Sequence, residues 1–153
     1  MKNISKNVSY KEGVYSITAD RLGLENKPNE EQLANMKTIA EKVFQPLRKW
    51  VGGPIKINSF FRSPELNKAI GGSSKSQHCH GQAIDIDDTF GKRTNAEMFT
   101  YIKEMLDFDQ AIWEFGNDDN PNWVHVSYVS PKANRNRCLK AYREDGKTKY
   151  KII

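Results

Sequence analysis

Two six-residue stretches, Gln-Ala-Ile-Asp-Ile-Asp at 82–87 and Trp-Val-His-Val-Ser-Tyr at 123–128, constrain this chain more than any other feature. Each alternates with period two and predicts a strand whose successive side chains point to opposite faces. In the first, Ile84 and Ile86 share one face and Ala83, Asp85 and Asp87 the other. In the second, Val124, Val126 and Tyr128 oppose Trp123, His125 and Ser127. The aliphatic faces need an apolar cover. Each strand then presents one metal-capable side chain, Asp85 or His125, on the face away from that cover.

The cover is a helix over about Asn29 to Val51. Asn29 with Gln32 forms a capping box. Leu33, Met36, Ala40, Val43, Phe44, Leu47, Trp50 and Val51 recur at three- and four-residue steps, and Gly52-Gly53 ends the stripe. Pro46 predicts a kink or break. A strand over Ile55–Phe61 follows, then a short helix opened by Ser63-Pro64-Glu65 and closed by Gly71-Gly72. Thr94 to about Leu106 reads as a helix. Gln110–Phe115 and Trp123–Val129 read as strands joined by the turn Gly-Asn-Asp-Asp-Asn-Pro-Asn, and Cys138–Ile152 as a hairpin turning at Asp145-Gly146.

The fold class is therefore α+β. We expect a small single domain over 1–153, with a core at about 29–129 and a C-terminal hairpin at 138–152. Its antiparallel sheet carries helices on one face and the metal site on the open face. A chain of 153 residues, 37% hydrophobic, is enough to bury one core. No stretch approaches the roughly 20 apolar residues of a membrane span. The N-terminal Met-Lys-Asn-Ile-Ser-Lys shows no apolar run, so the expectation is synthesis in the cytoplasm without a signal peptide. Cys79 and Cys138 read as free thiols. A net charge of +5 suits polyanions such as wall polymers. The basic residues are scattered and no nucleic-acid motif is present, so neither nucleic acid nor membrane is an expected partner, and a monomer is.

If the two alternating strands are neighbours, Asp85 and His125 face each other about 5 Å apart at Cβ. His78 enters from the preceding loop, which Gly81 allows to fold back. Two imidazoles and a carboxylate, with a fourth place for water, are a common catalytic zinc set. His80 is the alternative loop ligand. Cys79 paired with a histidine is the alternative nucleophile, but no oxyanion-binding element accompanies it.

The segment Ser-Gln-His-Cys-His-Gly-Gln-Ala-Ile-Asp (76–85), with Ser-Phe-Phe-Arg-Ser-Pro-Glu-Leu-Asn-Lys-Ala-Ile-Gly-Gly upstream and Trp-Val-His-Val-Ser-Tyr downstream, resembles the D-alanyl-D-alanine carboxypeptidase family of zinc peptidases. That family includes L-alanyl-D-glutamate endopeptidases of phage lysins. The resemblance runs from about Asn29 to Tyr128. It implies one zinc ion per chain held by His78, Asp85 and His125, and hydrolysis of an amide bond beside a D-amino acid in bacterial peptidoglycan.

It also implies that Arg62 binds and polarises substrate, a role its planar fork suits; the plainer alternative is an ion pair with Glu65. Ser76 either donates to substrate or holds its loop. Many relatives carry Glu or His two or three residues before the last ligand, where this chain has Trp123 and Asn122. Glu114, on the strand expected beside His125, is the expected general base, unless a Lys or Arg neutralises it. Asp118 and Asp119 are weaker candidates, and Trp123 suits a pocket wall.

The expected activity is a zinc metallopeptidase of the D,D-carboxypeptidase type, of phage or prophage lysin character, acting on the cell wall after release or export. The alternatives are an L-alanyl-D-glutamate endopeptidase and, from another class, a non-catalytic zinc-stabilised wall-binding module.

Overall fold

A computed structural model describes residues 2–153. Two short helices come first: α1 (Tyr10–Val14), begun by a Ser9–Glu12 capping box, and α2 (Ile17–Leu22), capped by Ser16. Neither has a counterpart among the expected elements. The long helix follows as α3 (Glu30–Ile39), a π-helical turn (Ala40–Phe44) and α4 (Gln45–Val51). Pro46 does not break it. The wide turn precedes the proline, and Gln45 N–H reaches back five residues to Ala40 C=O. That wider winding absorbs a residue that cannot donate and whose ring crowds the previous turn. Of the expected stripe, Met36, Ala40, Val43, Phe44, Leu47 and Val51 lie in the core, with Ile39 added, while Leu33 and Trp50 are partly buried and pack against it.

The remaining elements are β1 (Lys56–Ser59), α5 (Pro64–Ala69), a 3₁₀ turn (Gln77–His80), β2 (Ala83–Asp87), α6 (Asn95–Met105), β3 (Gln110–Glu114), β4 (Trp123–Ser127), β5 (Arg137–Glu144) and β6 (Lys147–Ile152). β1 is shorter than the expected Ile55–Phe61, because Phe60 and Phe61 leave the ladder to fill the core. The strands form one sheet in the order β1-β2-β4-β3-β5-β6.

The α+β class holds. One pairing departs from an all-antiparallel sheet: β5 runs parallel to β3. The chain leaving β4 crosses the end of β3, where Asp109 accepts from the Arg135 side chain at 2.8 Å and Arg137 N–H donates to Asp109 C=O at 2.9 Å. β5 therefore starts beyond β3 and cannot return beside β4. The final hairpin turns on Asp145 and Gly146, both at positive φ, as a two-residue loop with matching twist requires.

One sheet face is closed by α3, α4 and α6 over Ile84, Ile86, Val124, Val126 and Ala111. The other carries Asp85, His125 and Glu114 beside a small apolar cluster of Ile112, Leu139 and Ala141. This second face is not bare. Asp85 is 7% exposed and Glu114 8%, so both carboxyls sit in a sheltered medium.

Candidate metal centre

Register sets the first contact. Asp85 and His125 are direct partners across β2 and β4, and Asp85 Oδ1 lies 2.9 Å from His125 Nδ1. His78 comes from the 3₁₀ turn, placing its Nε2 3.2 Å from the same carboxylate oxygen and its ring 5.2 Å from that of His125. One ligand atom from each residue lies within 4.8 Å of the other two.

The tautomer of His78 follows from its neighbour. Its Nδ1 is 2.7 Å from the Phe60 carbonyl oxygen, which can only accept, so Nδ1 carries the proton. Nε2 is left with a lone pair, buried and without a hydrogen-bond partner. Burial lowers the His78 pKa against the raising effect of Asp85, which keeps the ring neutral. Burial alone would raise the Asp85 carboxyl, but the hydrogen bond from His125 Nδ1 helps to hold it below the usual carboxylate range. An ionised carboxylate thus faces a buried lone pair at 3.2 Å. A divalent cation resolves that opposition, and the donor set of two nitrogens and one oxygen suits zinc.

The loop bearing His78 is held from several sides. Gln77 Nε2 donates to Asp109 Oδ2 at 2.9 Å, Gln32 Nε2 to Cys79 C=O at 3.1 Å, and Asn35 Nδ2 to His80 C=O at 2.9 Å. The Gln32 amide serves twice, because its oxygen also closes the Asn29 capping box. Gly81 sits at φ +73°, where a Cβ would come 2.4 Å from Gln32 C=O. Glycine is thus required both by conformation and by the close approach of α3. Ser76 caps the turn, accepting from His78 N–H at 3.2 Å, and does not line the neighbouring cleft. Of the two roles read for it, holding the loop is the one with a contact. His80 is exposed and is not part of the group of three. Burial raises the Cys79 thiol, the opposite of an activated nucleophile.

Arg62 does not pair with Glu65. Its Nη2 donates to Asp85 Oδ2 at 3.2 Å, its Nε to Ser59 Oγ at 2.9 Å and its Nη1 to Asn67 Oδ1 at 3.2 Å. Asn67 is itself buried and anchored through Nδ2 to Ser73 C=O at 2.7 Å. Gly72, read as part of a helix stop, leaves room for that amide: a Cβ there would lie 2.2 Å from Asn67 Oδ1.

Glu114 faces the same side as His125, one strand away. Among the described residues it has no Lys or Arg partner. Burial raises its pKa to about 7, with His125 and Arg62 pulling the other way. Asp118 pairs with Lys140, and Asp119 lies in the exposed turn. Asn122 is likewise a turn residue, its N–H bonded to Glu114 C=O.

A cleft of about 440 Å³ opens beside the centre. Arg62, Asp85 and Trp123 line it, together with Tyr15 and Ile17 from the N-terminal helices and Leu66 and Ile70 from around α5. The N-terminal wall is not among the elements expected from the sequence, although its caps at Ser9 and Ser16 are legible signals. The supporting amides of Gln32, Asn35 and Asn67 are not expected from it either, since each acts through a distant partner.

The family model for peptidase M15 matches residues 6–127, from before α1 to the end of β4. Among curated proteins, none matches the chain.

Proposed function

This chain belongs to the peptidase M15 family, which supports a zinc-dependent peptidase of peptidoglycan at the family level, and from that premise we propose that it hydrolyses an amide bond inside the peptidoglycan stem peptide, beside a D-amino acid. His78, Asp85 and His125 would hold the metal. When bound, zinc supplies Lewis acidity, which acidifies an attacking water and polarises the carbonyl it meets. Glu114 takes the proton from that water on a carboxylate oxygen. As the water oxygen bonds to the carbonyl carbon and the C–N bond breaks, Glu114 returns the proton to the departing amine. Arg62, fixed by three acceptors, still has N–H groups for the substrate carbonyl. Trp123 forms a wall of the cleft.

The observation that carries the zinc assignment is the partnerless, buried His78 Nε2 facing Asp85 and His125. Removal of terminal D-alanine is the activity expected first from the sequence. The cleft favours its alternative, cleavage between L-alanine and D-glutamate. At about 440 Å³ it has room for peptide residues on both sides of a scissile bond. Its lining includes Tyr15 and Ile70 as well as Arg62. Mass spectrometry of purified muropeptides incubated with the zinc-loaded protein tests this. Separation of L-alanine from D-glutamate is expected; loss of a single terminal alanine would restore the carboxypeptidase reading, and intact muropeptides would favour a wall-binding module.

A further inference from the structure

The C-terminal hairpin lies outside the family match, yet register carries it to the site. Trp123 on β4 pairs with Glu114 on β3, Glu114 with Ala141 on β5, and Ala141 with Tyr150 on β6. Side chains paired this way project to the same face, so one row runs from the cleft wall through Glu114 to Tyr150. Ala141 has the smallest side chain in that row and leaves the space above it to its longer neighbours. Adjacent strands lie about 4.8 Å apart, which separates Glu114 and Tyr150 by roughly 10 Å of sheet. A phenol leaning along the row crosses most of that distance.

Two further observations point the same way. Tyr150 is 54% exposed, and its hydroxyl makes no hydrogen bond among the described residues. Its pKa is raised, first by burial and then by the carboxylates of Glu114 and Asp85, so the hydroxyl lies within their field and stays protonated, a donor, at neutral pH. Beside it on the hairpin, Arg143 holds its guanidinium 5.1 Å above the Phe115 ring, which is tilted against Trp123 at 5.6 Å. The wall is thus continuous from the cleft to the hairpin.

We propose that the hairpin is a second wall of the peptide-binding cleft and that Tyr150 is a substrate-binding residue. Its hydroxyl donates to an oxygen of the stem peptide, on the side of the scissile bond away from Arg62. This rests on the peptidase reading above, and it gives an internal bond support on both sides.

The test separates binding from turnover. Calorimetry measures the affinity of an intact stem-peptide muropeptide for the zinc-loaded Glu114→Gln protein, alone and combined with Tyr150→Phe or Tyr150→Ala. Loss of the hydroxyl in Tyr150→Phe should weaken binding about three- to tenfold, the range of one hydrogen bond, and Tyr150→Ala at least as much. Zinc content and melting temperature should not change. Equal affinity in all three proteins overturns the proposal, and so does absence of binding to Glu114→Gln alone. A wild type that binds the muropeptide without cleaving it sinks the peptidase reading and leaves the Tyr150 result standing.

Discussion

Asp85 and His125 face each other across the β2–β4 ladder, carboxylate oxygen to imidazole nitrogen at 2.9 Å, and His78 meets the same oxygen at 3.2 Å. One backbone register therefore fixes two of the three donors. The third depends on a loop that α3 holds in place.

That dependence makes Gln32 a test of the support. Gln32→Glu keeps the acceptor that closes the Asn29 capping box, but sets a carboxylate against Cys79 C=O where an amide donated. Zinc affinity should fall about 10- to 100-fold, the usual effect of disturbing a group that orients a ligand. The melting temperature of the metal-free protein should fall only slightly. Titration against a competing chelator reads the first effect and calorimetric unfolding the second.

Arg62→Lys keeps the positive charge and removes the fork that bridges Ser59, Asn67 and Asp85. Muropeptide cleavage should drop about 100-fold in kcat/KM, comparable to losing one donor to a developing oxyanion, while zinc content stays at the wild-type level. Steady-state kinetics with parallel metal analysis checks both halves.

Glu114→Gln preserves shape and removes the base. Turnover should fall about 10²- to 10⁴-fold, the range for general acid–base groups, with metal retained. A variant cleaving at the wild-type rate would move the proton transfer elsewhere.

Glu114 also gives the metal-free protein a pH signature. Burial raises its folded pKa from 4.5 to about 7, so between those values the folded state holds a proton that the unfolded chain has released. Stability from this group is present at low pH and lost as pH rises through about 7, a change of about 3 kcal/mol. His78 has the opposite sign: its pKa is lowered by burial, and it costs stability as pH falls below 6.5. Comparing wild type with Glu114→Gln removes the His78 contribution. Denaturant unfolding should show the substitution becoming more favourable by about 2.5 kcal/mol between pH 5 and pH 8.

Much of this site is legible in the sequence because it is built on alternation. Asp85 and His125 each sit between aliphatic residues that must go to the core, and Glu114 follows from the same rule one strand on. The long helix was equally plain from its stripe. The parallel placement of β5 was not, since nothing in 128–136 announces that Asp109 and Arg135 will hold the crossing. α1 and α2 span five and six residues, too few for a periodic signal. Gln32, Asn35 and Asn67 look like ordinary surface amides until folding brings them to Cys79, His80 and Arg62.

The central claim is that His78, Asp85 and His125 together hold one zinc ion, and its most direct measurement is the metal content of purified protein dialysed after zinc loading. Wild type should retain one equivalent, and His78→Ala, Asp85→Ala and His125→Ala should each lose nearly all of it while remaining folded by circular dichroism. A wild type that retains no zinc, or single variants that keep a full equivalent, would contradict the account.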